Sequence, residues 1–148
     1  MAAIGSPHGG CVNRMNRIFV LAAGDRAVVA VQNPITLDPH SEPQPDLSVL
    51  KPRADFYASA HPAPGNVLLV VEVADTSLGY DRHVKVPLYA RAAIGETWLV
   101  DLLNERVEVF TEPTPQGYRS SRQARRGERL PSHVLPEASL LVDRVLGE

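Results

Sequence analysis

The sequence predicts an α/β fold of the α+β kind, a mixed central β-sheet with a helix packed on each side. Three observations predict it. Residues 9–23 space their apolar side chains as a helix does, residues 67–73 (VLLVVEV) form the most apolar run, and short strand-like segments follow residue 96. The order helix, strands, helix, strands leaves a sheet covered on both faces as the economical arrangement.

The elements follow in order. From Gly9 to Ala23, Val12, Met15, Ile18, Phe19, Leu21 and Ala22 fall mostly on one side, with Asn13, Arg14, Asn16 and Arg17 largely on the other. Gly24 is a natural C-terminal cap. Ala27–Gln32 reads as a strand broken by Asn33-Pro34. The stretch Pro34–Pro64 holds seven of the 13 prolines, yet Leu47-Ser48-Val49-Leu50 within it reads as a short strand. It is therefore an irregular segment with one embedded strand, not a domain boundary. Val67–Val73 suits a central strand buried on both faces. After a polar turn, Asp81–Ala93 reads as a helix stopped near Gly95, which Pro87 kinks or restarts because it lacks an amide proton. Thr97–Asp101 and Arg106–Thr111 form a hairpin around Leu103-Asn104-Glu105, and Gly117–Arg122 and Leu140–Val145 add further strands.

At 148 residues the whole chain, 1–148, reads as a single domain. Cys11 is the only cysteine, which excludes a disulfide framework and a cysteine-based zinc site and fits a cytoplasmic setting. No apolar run nears the roughly 18 residues of a membrane span, and no signal-peptide pattern opens the chain. The net charge of −2 argues against a DNA-coating protein. A nuclease stays open, since a divalent metal and a local arginine cluster can supply the positive field. GxSxG, GxxxxGK, GxGxxG and HExxH are all absent.

Three residues stand out chemically. Asp46 sits at the mouth of the short 47–50 strand, Glu72 lies near the end of the most buried strand, and Lys85 follows Asp81 by four residues on one helix face. An unpaired carboxylate at position 72 would be costly. Two carboxylates from neighbouring strands make an oxygen-rich site suited to magnesium, which takes few protein ligands and keeps several waters. A lysine beside it can orient a water and stabilise charge on a phosphate.

Pro45-Asp46, then VVEVADTSLGYDRHVKVPLYARAAIGETWLVD, resembles the bacterial Uma-type restriction-endonuclease family within the PD-(D/E)XK nuclease superfamily. The resemblance extends from Gly5-Ser6-Pro7-His8-Gly9 to the C-terminal strands. It implies a restriction-endonuclease-like fold and metal-dependent cleavage of DNA. Asp46 and Glu72 then hold Mg2+, with Mn2+ as a substitute and the Val73 carbonyl as a third ligand, and Lys85 acts as the motif lysine. Read from the residues themselves, Asp81 and His8 are candidate supporting residues, and His8, beside a helix N-terminus, could contact phosphate. One departure matters: Ala74 stands two residues after Glu72, where the plain motif has lysine. Proteins of this family resemble the chain in carrying that lysine on the next helix. They also usually place a strand pair ahead of the segment matching Met1–His8, so the chain is expected to begin inside its domain.

Each residue has a plainer reading. Asp46 could accept strand-end amides, Glu72 could pair with Arg53 or Arg82, and Lys85 could be a solvated partner of Asp81. His8 could be a helix-end residue without chemistry. Arg119, Arg122, Arg125, Arg126 and Arg129 could track a nucleic-acid backbone or form a solvated hairpin. Trp98 between apolar neighbours belongs to the core. The leading expectation is a magnesium-dependent DNA endonuclease, assembled as a homodimer. The alternative is a catalytically inactive DNA-binding or protein-interaction module of the same fold.

Overall fold

The computed structural model describes residues 5–130, 134 and 140–147. Helix α1 (Ser6–Ala23) leads through a 3-10 turn (Gly24–Arg26) into β1 (Val28–Val31) and β2 (Leu47–Leu50). Next come β3 (Val67–Ala74), a helical stretch made of α2 (Leu78–Tyr80), a π-helical segment (Asp81–Lys85) and α3 (Val86–Arg91), and then β4 (Glu96–Asp101). The chain continues through β5 (Arg106–Thr114), β6 (Gly117–Arg125), β7 (Arg129–Leu130), β8 (Leu140–Leu141) and α4 (Val142–Leu146). Six strands form one sheet in the order β1-β2-β3-β4-β5-β6, and β7 pairs with β8 in a second. Among the described strands only β3 and β4 run parallel; the other neighbours are antiparallel. The expected mixed sheet flanked by helices is thus present.

The parallel pair explains the apolar run in β3. Its crossover lays α2 and α3 on one face while α1 covers the other, so both faces are buried. On one side Met15 and Phe19 of α1 meet Leu69, Val71, Val73 and Trp98. The Phe19 and Trp98 rings sit edge to face, 5.6 Å between centroids. On the other side Val67 and Val70 meet Tyr89 and Ile94. The alternation along β3 therefore turns Glu72 toward α3.

Several boundaries differ from those expected. α1 starts at Ser6 and not Gly9, because Pro7 falls in its first turn, where a missing amide costs nothing. Gly24, at φ 54°, ends it as expected. Pro87 marks the expected restart of the second helix, in the first turn of α3, and the turn ahead of it is widened, with the Val86 amide donating to the Asp81 carbonyl five residues back. β5 and β6 are longer than their apolar cores, meeting across Pro115-Gln116. Leu140–Val145 is not one strand: only Leu140–Leu141 pairs, and Val142 and Val145, three apart, are both buried on α4. α4 closes on α1, where the Arg14 guanidinium donates to the Val145 and Leu146 carbonyls at 3.2 and 2.8 Å. Residues 1–4, where the family's preceding strand pair is expected to finish, lie outside the described residues.

Candidate active site

The carboxyl end of β3 gathers the polar residues singled out from sequence. Asp46 immediately precedes β2, whose Leu47 is in register with Val71 of β3. From there its Oδ2 accepts the Val73 amide at 2.7 Å. This is the strand-end amide contact expected of an isolated Pro-Asp. His8 Nε2 of α1 stands 3.3 Å from the same oxygen. Glu72, 2 % exposed, is held from the opposite side of the sheet. Lys85 Nζ donates to its Oε2 at 3.3 Å and the Tyr89 hydroxyl to its Oε1 at 2.6 Å. Lys85 also lies 3.9 Å from Asp81 Oδ1, while Ser77 Oγ donates to Asp81 Oδ2 at 2.7 Å.

Electrostatics follow from this crowding. Burial pushes the Glu72 carboxyl up to about 8, Lys85 opposes the shift, and the charge of Asp46 adds to it. Burial likewise raises Asp81, against the Ser77 hydroxyl and Lys85. For Lys85, burial pulls the ammonium down, but Glu72, Asp81 and Asp46 together outweigh it, so its pKa ends above the ordinary value. The lysine stays charged at neutral pH.

Asp46, Glu72, Lys85, Asp81 and His8 are thus brought to one end of the sheet, and the Val73 backbone lies there too. Glu72 does not pair with the arginines named as its plainer partners. Arg53 pairs with Asp55 at 2.7 Å, and Arg82 pairs with Glu108. Tyr89 escaped the sequence reading, although its place four residues after Lys85 on one helix was a usable signal. The arginines of β6 lie on the far strand of the sheet, three strands from β3, roughly 14 Å at ordinary strand spacing. Arg126 is bound to Glu105 and to the Gly147 carbonyl, whereas Arg119, Arg122 and Arg125 are exposed. Trp98 is a core residue, its Nε1 donating to Glu96 Oε2 at 2.8 Å. Among the described residues, no group of three or more His, Cys, Asp or Glu side chains is placed to hold a metal ion. No described helix is long and apolar enough to cross a membrane.

A family model described as "Uma2: Putative restriction endonuclease" matches residues 1–143. This chain belongs to the Uma2 family. Among solved structures it is similar to a crystal structure from Anabaena variabilis described as "a putative nuclease belonging to DUF820". The TM-score is 0.75 at 12 % identity, over 98 % of this chain and 83 % of that one. At that identity the likeness establishes the fold alone: a restriction-endonuclease-like α/β architecture. No curated protein is significantly similar to the chain. Family and fold together class this Uma2 member with the PD-(D/E)XK nuclease-like proteins.

Proposed function

We propose that this Uma2-family chain is a magnesium-dependent endonuclease that hydrolyses DNA phosphodiester bonds in the cytoplasm. Asp46 and Glu72 are the proposed metal ligands, with the Val73 carbonyl as a third and Mn2+ as a substitute ion. The observation that carries the reading is the buried Glu72 carboxylate held by the Lys85 ammonium at the sheet end where Asp46 accepts the Val73 amide. The donor set fits magnesium by its chemistry. It is all oxygen, and the high Glu72 pKa means that Lys85 alone undercompensates a negative charge there. Two side-chain ligands are few, which suits an ion that keeps most of its waters.

When bound, the ion supplies charge neutralisation at the scissile phosphate and an acidified water. The chain's own groups do the rest. Tyr89 and Lys85 hold the two oxygens of Glu72, so the carboxylate cannot rotate away from the sheet end. Lys85, with its side chain 24 % exposed, offers a permanent positive charge to a phosphate oxygen or to the attacking water. Asp81 keeps that ammonium aimed across the site. Arg119, Arg122, Arg125 and Arg126 are proposed backbone contacts, the last weakened by its existing partners. A homodimer is the proposed assembly, since cutting a duplex takes two strand cleavages and two-fold pairing is the commonest symmetry. Light scattering that returns a monomer mass at working concentration overturns the assembly.

The lack of a three-ligand group among the described residues favours the second reading, an inactive module of the same fold. Plasmid DNA incubated with Mg2+ separates the two. Metal-dependent nicking that chelator and Lys85→Ala both abolish supports the enzyme. Cleavage persisting in chelator, or none from the folded wild type with either ion, rules the mechanism out.

A further inference from the structure

We infer that His8 is a positioning residue for Asp46, holding that carboxylate in the orientation a divalent cation requires; the inference rests on the metal-site reading above. α1 carries His8 to the sheet end, where Nε2 stands 3.3 Å from Asp46 Oδ2. The same oxygen accepts the Val73 amide at 2.7 Å. The amide bond and the nearby imidazole nitrogen both act on Oδ2 and restrict the rotation of the carboxylate. A carboxylate only accepts, so in a hydrogen bond with Asp46 it is Nε2 that donates.

Nδ1 is then the informative atom. It is buried, and nothing among the described residues hydrogen-bonds it. A buried nitrogen without a partner costs free energy, so a ring kept only for stability would be expected to satisfy both nitrogens or to reach solvent. A helix-end histidine without chemistry explains neither the aim of Nε2 nor the burial of Nδ1. Orienting Asp46 explains both, since one ring nitrogen is used and the other follows from the ring's placement. The two carboxylates are thereby braced from opposite faces of the sheet: Glu72 by Lys85 and Tyr89 of the α3 side, Asp46 by His8 of α1.

The test is Mn2+ titration of the full chain, with free ion followed by its electron paramagnetic resonance signal. His8→Ala is expected to bind Mn2+ about 10–100-fold more weakly, the usual effect of removing a partner of a metal ligand. His8→Gln, whose side-chain amide can donate to the same oxygen, recovers most of that loss. Metal-free melting temperatures are read alongside. A purely structural role lowers melting while leaving Mn2+ affinity at the wild-type value, and that result overturns the inference. Should His8→Ala not fold, His8→Leu, which fills the space without a donor, takes its place against His8→Gln. Asp46→Asn and Glu72→Gln are the controls. If wild type takes up no Mn2+, or both controls still bind it, the metal-site reading falls and this inference with it. If the controls lose binding and the His8 variants do not, the inference falls alone.

Discussion

Glu72 shows how much a single buried carboxylate can govern. Its two oxygens face two different donors, one charged and one a phenol buried with it. Truncation and isosteric replacement therefore part company. Glu72→Ala leaves the buried Tyr89 hydroxyl without its acceptor, a loss of about 1–3 kcal/mol. Glu72→Gln keeps an acceptor for Tyr89 and removes the charge that burial penalises. Both variants are expected to lose metal-dependent cleavage, but only the alanine should melt markedly lower. The sign with pH follows from the raised carboxyl, 4.5 ordinarily and about 8 here. The folded protein holds this proton where the unfolded chain releases it, so stability from the group is full below 4.5 and lost as pH rises through about 8. Metal-free wild type should weaken across that window relative to Glu72→Gln. Parallel chemical-denaturation midpoints would refute the assignment of the buried charge.

At the scale of elements, β6 separates two arginines that look alike in sequence. Arg125 pairs across the ladder with Arg106, whose guanidinium lies 3.3 Å from Asp101 on the α3 face of the sheet. Arg122 pairs with Val109, a core residue of the α1 face. Side chains of directly opposed residues share a face, so Arg125 looks toward the Glu72 side and Arg122 away from it. Arg125→Ala is expected to weaken DNA binding alike for all sequences and to lower the salt slope by about one, as loss of one phosphate contact does. Arg122→Ala should change both less. Fluorescence anisotropy across a salt series reads both, and equal effects would remove the face distinction. Sequence alone could not draw it, because the period of two reports the face only once register is known. The same limit explains the misread end of the chain. Leu140, Leu141 and Val142 look like a strand, and only tertiary packing decides that helix begins at Val142. By contrast α1, β2, β3 and the β4–β5 hairpin were legible, because long periodic or uniformly apolar segments leave little choice.

For the molecule as a whole, the site is built by closure of distant segments. Asp46, Glu72 and Lys85 were legible as residue types in a familiar order. Their pairings were not: His8, singled out only as a supporting residue, meets Asp46 across 38 positions of sequence, and only the packing of α1 on the sheet brings them together. A ligand held jointly by such segments stabilises the folded state alone, since the unfolded chain has no such site. If Mg2+ binds between Asp46 and Glu72, wild type at one hundred times the dissociation constant gains about 2.7 kcal/mol. For a chain of this size that is a rise in melting temperature of roughly 6–10 °C. Chelator should reverse it. Asp46→Asn and Glu72→Gln should melt at one temperature with or without the ion, whatever their metal-free stability. Because each variant is its own control, the comparison separates loss of a ligand from loss of fold. A rise of equal size in both variants would mean that the ion acts elsewhere on the protein, and the carboxylate pair would no longer be its site.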